Sequence, residues 1–166
     1  QLVATPSDEA VERIKFIEQR LVDPSTVGVF QAEVIKFDMK DSIQEVLKIS
    51  GEKEILKLPL YDGNQFSGLV TSRAIAKWLQ KHIQNNNIEL SGTVGELLDF
   101  EKKSQYEFIP TSMTIYEAWR LYQTSPKKLD ALLLTENGTV EEEIKAVITY
   151  DDLLRYIYTH DQYVFN

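Results

Sequence analysis

An internal repeat is the feature that most constrains the fold of this chain. Thr26-Val27-Gly28-Val29-Phe30 has a counterpart in Thr93-Val94-Gly95-Glu96-Leu97. A helical pattern follows each of them, over Ser42–Ile49 and then over Thr114–Tyr122, and each begins at a residue that is a good N-cap. An internal duplication decides the architecture of the whole chain, so we consider it before any single motif.

The later part of each half predicts a β-hairpin and a final helix. Each hairpin combines two β-rich runs with an Asp-Gly or Asn-Gly turn, which is a strong hairpin signal. The predicted strands are Ile55–Tyr61 and Phe66–Thr71 in the first half, and Leu129–Thr135 and Ile144–Thr149 in the second. The predicted final helices are Ser72–Ile83 and Tyr150–Tyr158.

Each half therefore has the order strand, helix, strand, strand, helix. This order predicts an α/β (α+β) fold of tandem β-α-β-β-α repeats, packed as a pseudo-twofold pair, with an extra N-terminal helix over Ser7–Leu21. The predicted organisation is an N-terminal helix and linker (1–25), a first repeat (26–83), a polar linker (84–92) and a second repeat (93–166). One unit of this size buries too little surface to be stable alone, so we expect the two to share a core and leave clefts between them.

Composition excludes several classes of function. The 166 residues carry a net charge of −8, which argues against a basic nucleic-acid-binding face. Without cysteine there is no disulfide, thiolate nucleophile or cysteine-bound zinc. The chain has only two histidines, His82 and His160, which we expect at the surface, and no Gly-rich phosphate loop or G-x-S-x-G motif, so we do not expect an enzyme.

Targeting features are not evident from the sequence. No apolar run approaches the length needed to cross a bilayer, and the polar residues Gln1–Glu9 do not resemble a signal peptide. These observations favour a cytoplasmic protein. A first residue other than Met is compatible with a fragment of a longer protein.

The first hairpin resembles a CBS domain, the family named for cystathionine β-synthase. Leu58-Pro59-Leu60-Tyr61-Asp62-Gly63, followed by Phe66-Ser67-Gly68-Leu69-Val70-Thr71, is similar to the family run L-P-V-x-D-x-x-G-x-x-x-G-h-h-T. In the second half the likeness is weaker: Ala131-Leu132-Leu133 stands for the P-V-x run, and Ala146-Val147-Ile148-Thr149 for the G-h-h-T run. The resemblance covers the chain from about Thr26 to its end.

This resemblance implies a CBS-domain pair, or Bateman-type regulatory module. Such pairs bind adenosyl compounds, such as AMP, ATP, cyclic di-AMP or S-adenosylmethionine, in their clefts. No cofactor is required for this role. The family also implies a homodimer and a regulated protein partner.

The predicted site in the second half centres on Thr149, Tyr150 and Asp152. The resemblance implies that Thr149 lies near the ligand phosphate and that Asp152 accepts hydrogen bonds from the ribose hydroxyls. Backbone N–H groups at a helix start favour an anion, and a carboxylate can accept two hydroxyl hydrogen bonds. The same residues also fit an ordinary helix-capping box, and both roles can coexist.

The first half departs from this pattern. Three residues after Thr71 stands Ala74, not an acid, so this site is either degenerate or holds a ligand differently. Arg73 is a candidate phosphate contact, because guanidinium binds phosphate in a bidentate manner. The alternative for Arg73 is an ordinary surface position.

The adenine base requires an apolar slot. The candidate residues are Phe108, Ile109, Pro110 and Ala131 in the second half, where backbone groups near Ile109 and Thr111 are candidates to bind the adenine edge, and Phe37, Leu58 and Pro59 in the first. Each of the apolar residues fits plain core packing equally well. The main alternative for the whole chain is therefore a CBS-type dimerisation module that binds no nucleotide.

Overall fold

The structure is a computed structural model that describes residues 7–22, 25–84, 87–101 and 104–160, without the side chains of 16–22 and 84. Its helices are α1 (Asp8–Val22), α2 (Ile43–Glu52), α3 (Ser72–His82), α4 (Ile115–Thr124) and α5 (Tyr150–His160). Its strands are β1 (Phe37–Asp38), β2 (Lys57–Asp62), β3 (Gln65–Thr71), β4 (Ile83–Gln84), β5 (Asn87–Ile88), β6 (Tyr106–Pro110), β7 (Ala131–Thr135) and β8 (Ala146–Ile148). Two short 3₁₀ helices span Val27–Phe30 and Val94–Phe100.

The two repeats have the same sheet topology. In the first, β1 runs parallel to β2, and β2 is antiparallel to β3. In the second, β6 runs parallel to β7, and β7 is antiparallel to β8. The predicted fold of tandem β-α-β-β-α repeats is confirmed.

The strand registers correct one alignment made from the sequence. Pro59 faces Leu69, two residues before Thr71, and Leu133 faces Val147, two residues before Thr149. The structural counterpart of Pro59 is therefore Leu133. The sequence alignment placed Ala131 there and was wrong by two residues, because the second half carries no proline to mark the position.

Three clusters of buried side chains hold the molecule together. One belongs mainly to the first repeat and includes Leu58 and Trp78, and a second belongs mainly to the other repeat and includes Leu132 and Leu153. A third lies between the sheets and joins residues of both repeats: Tyr61, Leu69, Ala131, Leu133 and Ile144. The repeats thus share a core, as the size of a single unit requires.

The segments that open the repeats exchange places. Val27 is fully buried in the core of the second repeat, and its N–H donates to the carbonyl of Met113 at 2.8 Å. Val94 is fully buried in the core of the first repeat, and its N–H donates to the carbonyl of Asp41 at 2.9 Å. Each repeat therefore contributes a residue to the core of the other, and neither core is complete without the other half. The division of the chain at residues 26 and 93 stays a prediction.

Two other predicted segments gain detail. The predicted polar linker includes a two-residue ladder between β4 and β5. Of the described helices, none combines the length and apolarity that a membrane span requires.

Candidate functional site

A cavity of about 470 Å³ opens between the two repeats beside strand β8. We call it the β8 cleft. It is lined by Phe30, Ala32, Glu33, Val34, Ile35, Lys53, Ile55, Lys57, Pro59, Ala146 and Val147.

The cleft lies beside β8, which is an edge strand of its sheet. The segment that follows the first 3₁₀ helix runs beside β8, and the N–H of Ala32 donates to the carbonyl of Lys145 at 3.0 Å. Phe30 lines the cleft and contacts Tyr156 of α5, with ring centroids 5.6 Å apart. Alternate residues at the start of β2 and just before it, from Lys53 to Pro59, also line the cleft.

Two lysines give the cleft a cationic wall. Lys53 and Lys57 line it, and among the described residues neither makes an ion pair within 4.0 Å. Glu33 is the one carboxylate in the lining. On a chain with a net charge of −8, two unpaired lysines at one cavity suit an anionic ligand group.

The Thr149 junction, where β8 ends and α5 begins, is built around one carboxylate. The N–H and the hydroxyl of Thr149 both donate to Oδ2 of Asp152, at 2.8 and 2.7 Å. The N–H of Asp152 donates back to the Thr149 hydroxyl at 3.2 Å. This is the capping box that the sequence allowed, and Asp152 remains half-buried rather than enclosed.

The corresponding Thr71 junction, between β3 and α3, uses a carboxylate that the sequence analysis missed. The N–H and the hydroxyl of Thr71 both donate to Oε2 of Glu101, each at 2.7 Å. The Glu101 side chain is only 3% exposed. Ala74, at the position of Asp152, is fully buried in the first core, and Glu101 already accepts from the two Thr71 donors that a carboxylate at position 74 would use.

Arg73 contacts two carboxylates. Its guanidinium donates to Oδ2 of Asp130 at 2.8 Å and lies 3.7 Å from Oε1 of Glu101. The hydrogen bond to Asp130 and the charges of both carboxylates raise the pKa of Arg73 above its usual value. The predicted phosphate contact is thus an ion pair that joins the first repeat to the start of β7.

Most of the other predicted contact residues lie outside the β8 cleft. Phe37, Leu58, Ile109 and Ala131 are buried core residues, at most 2% exposed. Phe108 packs edge-on against Phe66, the N–H and hydroxyl of Thr111 donate to the carbonyl of Glu136, and the Tyr150 hydroxyl accepts from Gln123. Pro110 lines a separate surface pocket near α4, and Pro59 alone of the predicted set lines the β8 cleft.

The two histidines occupy equivalent helix ends. His82 stacks on Trp78 and His160 stacks on Tyr156, each four residues upstream, with centroids 4.0 and 4.1 Å apart. Within the described part of the chain, no group of three or more His, Asp or Glu side chains is placed to hold a metal ion.

Comparison with known proteins identifies the architecture. Residues 28–81 match the model of the CBS domain family. No curated protein matches the chain.

Several solved structures share the fold across most of the chain. The CBS domain of a putative transporter from Clostridium difficile 630 is 17% identical, with a TM-score of 0.58, and the match covers 83% of this chain and 97% of that one. The CBS-pair protein CBSX2 from Arabidopsis thaliana is 18% identical, with a TM-score of 0.55, and the match covers 84% and 98% of the two chains. A CBS domain-containing protein of unknown function from Kribbella flavida DSM 17836 is 12% identical, with a TM-score of 0.61, and the match covers 81% and 99%.

Both the sequence match and the fold lead to one assignment. The matched residues contain the first hairpin and helix α3, and the second repeat has the same strand order and directions. The first repeat is a CBS domain, and the chain as a whole has the fold of a CBS-domain pair.

Proposed function

We propose that the chain is a regulatory module that binds an adenine nucleotide, of the AMP, ATP, cyclic di-AMP or S-adenosylmethionine class, in the β8 cleft. The observation that carries this proposal is the cavity of about 470 Å³ lined by Lys53 and Lys57, two lysines that form no ion pair with any described residue. Small-molecule sites typically have volumes of roughly 300–1,000 Å³ and a few placed polar groups in an otherwise apolar lining.

The neighbouring Thr149 junction supplies the second half of the site. Val147 lines the cleft, and Thr149 lies two residues further along the chain, roughly 7 Å at the usual rise of a strand. Among the described residues none donates a hydrogen bond to Oδ1 of Asp152, so this oxygen can accept a ribose hydroxyl without loss of the helix cap. Capping and ligand binding are therefore compatible at Asp152.

The solved structures add a precedent of the same fold. One of them is CBSX2 in complex with AMP, which is 19% identical to this chain with a TM-score of 0.55, and the match covers 82% of this chain and 98% of that one. A protein from Methanocaldococcus jannaschii described as a putative archaeal homologue of γ-AMPK is 18% identical, with a TM-score of 0.58, and the match covers 95% of this chain and 55% of that one. The AMP complex supports the choice of an adenine nucleotide as the ligand class.

Thermal unfolding with AMP, ATP, cyclic di-AMP and S-adenosylmethionine tests the proposal. A true ligand at 100 times its dissociation constant adds about 2.7 kcal/mol to the free energy of unfolding. Lys57→Ala should weaken AMP binding about tenfold while leaving adenosine binding unchanged, because a lysine–phosphate bond is worth roughly 1.5–3 kcal/mol. Lys48→Ala, on the exposed face of α2 outside the cleft, is the matched control.

A second candidate is a CBS-type dimerisation module that binds no nucleotide. It is favoured by one observation: the capping box already accounts for the hydrogen bonds of Asp152 to Thr149. No stabilisation by any of the four ligands would select this candidate over the first. The homodimer and the regulated partner are also part of the proposal, and light scattering at several concentrations would contradict the dimer if only monomer were found.

A further inference from the structure

We propose that Glu101 takes the place of a ligand at the Thr71 junction. Each chain then binds one nucleotide, at the Thr149 junction, while the Glu101 side chain closes the equivalent position at the Thr71 junction. The Glu101 network consists of Thr71, Arg73, Glu101 and Asp130. The count of one nucleotide rests on the proposed function, whereas the network itself does not.

The two junctions present the same pair of donors to a carboxylate. At each, a threonine N–H and hydroxyl meet a single oxygen at 2.7–2.8 Å. The acceptor of the Thr149 junction lies three residues downstream, whereas that of the Thr71 junction lies 30 residues downstream. Glu101 therefore reproduces from a distant segment what Asp152 provides locally.

The second carboxylate oxygen distinguishes the two junctions. Oε1 of Glu101 faces the Arg73 guanidinium at 3.7 Å, and the side chain is 3% exposed, so no hydroxyl of a ligand reaches it from solvent. Asp152 is half-buried, and its Oδ1 meets no donor among the described residues. Only the Thr149 junction therefore offers an acceptor to a ribose.

Arg73 is committed to the protein in the same way. Asp130, whose side chain is 12% exposed, accepts from both the Arg73 guanidinium and the N–H of Gln105. By strand register, the counterparts of Arg73 and Asp130 are Asp151 and Leu56, which form no such pair, and Leu56 is 68% exposed. The Arg73–Asp130 ion pair therefore has no symmetry-related counterpart among the described residues.

Further close packing supports closure at this end. A Cβ atom on Gly68 would lie 2.9 Å from Cδ2 of Leu98, so Leu98 covers β3 at this point. The equivalent residue of the second repeat, Ala146, instead lines the β8 cleft. Leu98 belongs to the second 3₁₀ helix, and Glu101 directly follows that helix, as 31–35 follow the first. The two equivalent segments therefore differ in their packing. The one that contains Leu98 packs directly onto β3, whereas the one that contains 31–35 borders a cavity beside β8.

Native mass spectrometry with AMP tests the count of ligands. The expected result is one AMP per chain, with Glu101→Gln changing its dissociation constant less than twofold and Asp152→Asn raising it about tenfold. Two AMP molecules per chain, the second lost in Glu101→Gln, would overturn the inference and make Glu101 a ribose acceptor. No binding at all would overturn both the proposed function and the single-site count.

A double-mutant cycle measured without ligand tests the Glu101 network whether or not the chain binds a nucleotide. Arg73→Ala and Asp130→Ala should be non-additive, with a coupling of about fivefold in the unfolding equilibrium constant. The control is Lys36→Ala with Glu143→Ala, an ion pair between repeats whose side chains are 47% and 68% exposed, for which the coupling should stay below about twofold. A coupling between Arg73 and Asp130 no larger than that of the control pair would contradict the proposed network.

Discussion

The Thr71 and Thr149 junctions have the same hydrogen-bond geometry and different sequences. In the second repeat the acceptor, Asp152, follows the threonine by three residues, while in the first repeat Glu101 is brought in from a remote segment. A buried N–H at a strand end needs an acceptor in either case. The comparison shows that the fold conserves the position of the carboxylate in space rather than its position in the sequence.

The hairpin turns of the two repeats differ in the same way, in the sequence distance to the carboxylate acceptor. In the first repeat the N–H of Gly63 donates to Asp38, 25 residues earlier, and in the second the N–H of Asn137 donates to Glu142, five residues later. Both carboxylates used by the first repeat are distant in sequence, but Asp38 belongs to that repeat and only Glu101 comes from outside it. We infer that Glu101 is the carboxylate that ties the first repeat to the second.

This difference bears on how a ligand would act. A nucleotide can bias the arrangement of the two repeats only by its differential affinity for the alternatives. With the Glu101 network holding one end, the alternatives open to the molecule differ mainly at the β8 cleft. A signal would therefore pass through Phe30 and its contact with α5 rather than through α3.

The largest expected effect compares equivalent residues on α3 and α5. Trp78 is fully buried, so Trp78→Ala should lower the free energy of unfolding by about 3–5 kcal/mol. Its counterpart Tyr156 is half-buried against Phe30, and Tyr156→Ala should cost about 1–2 kcal/mol. Urea unfolding of the two variants measures both values, and equal losses would contradict the view that the helices are packed differently.

The sequence predicted the fold because its signals are local and occur twice. Asp62-Gly63 marks the tight turn between β2 and β3, Asn137-Gly138 lies in the longer connection between β7 and β8, and β3 and α3 begin within one residue of their predicted positions. The capping box at Thr149 and Asp152 was predictable for the same reason, since both residues lie within one helical turn.

The rest of the candidate site depends on contacts between segments that are far apart in sequence. Glu101 lies in no motif, and only the chain's path through the other repeat brings it to Thr71. Lys53 and Lys57 carried a weak signal, two cations that lead into the Leu58-Pro59 run, but the cavity that they line also needs β8, which is distant in sequence. The apolar residues predicted to hold a base were instead required by the core, as the alternative interpretation allowed.

A smaller effect separates the two junctions directly. Thr71→Val removes a hydrogen bond to a nearly buried carboxylate and should cost about 1.5–3 kcal/mol, the usual range for bonds to charged groups. Thr149→Val removes a helix cap at a half-buried site and should cost about 1 kcal/mol. In a Glu101→Gln background the Thr71→Val loss should shrink. An unchanged loss would show that the hydroxyl acts independently of the Glu101 charge.

The smallest effect is a pH dependence at the second hairpin turn. The backbone N–H and side-chain amide of Asn137, together with Thr135 and Thr139, lower the pKa of Glu142 from 4.5 to about 2. A depressed folded-state pKa means that the stabilisation is present above pH 4.5 and is lost as the pH falls toward 2. NMR should therefore show the Asn137 amide shifting with a midpoint near pH 2, and Glu142→Gln should abolish that transition but leave the Gly63 amide, which reports on Asp38, unchanged. A midpoint near 4.5 would mean that this turn, unlike its counterpart in the first repeat, is not held by its carboxylate in solution.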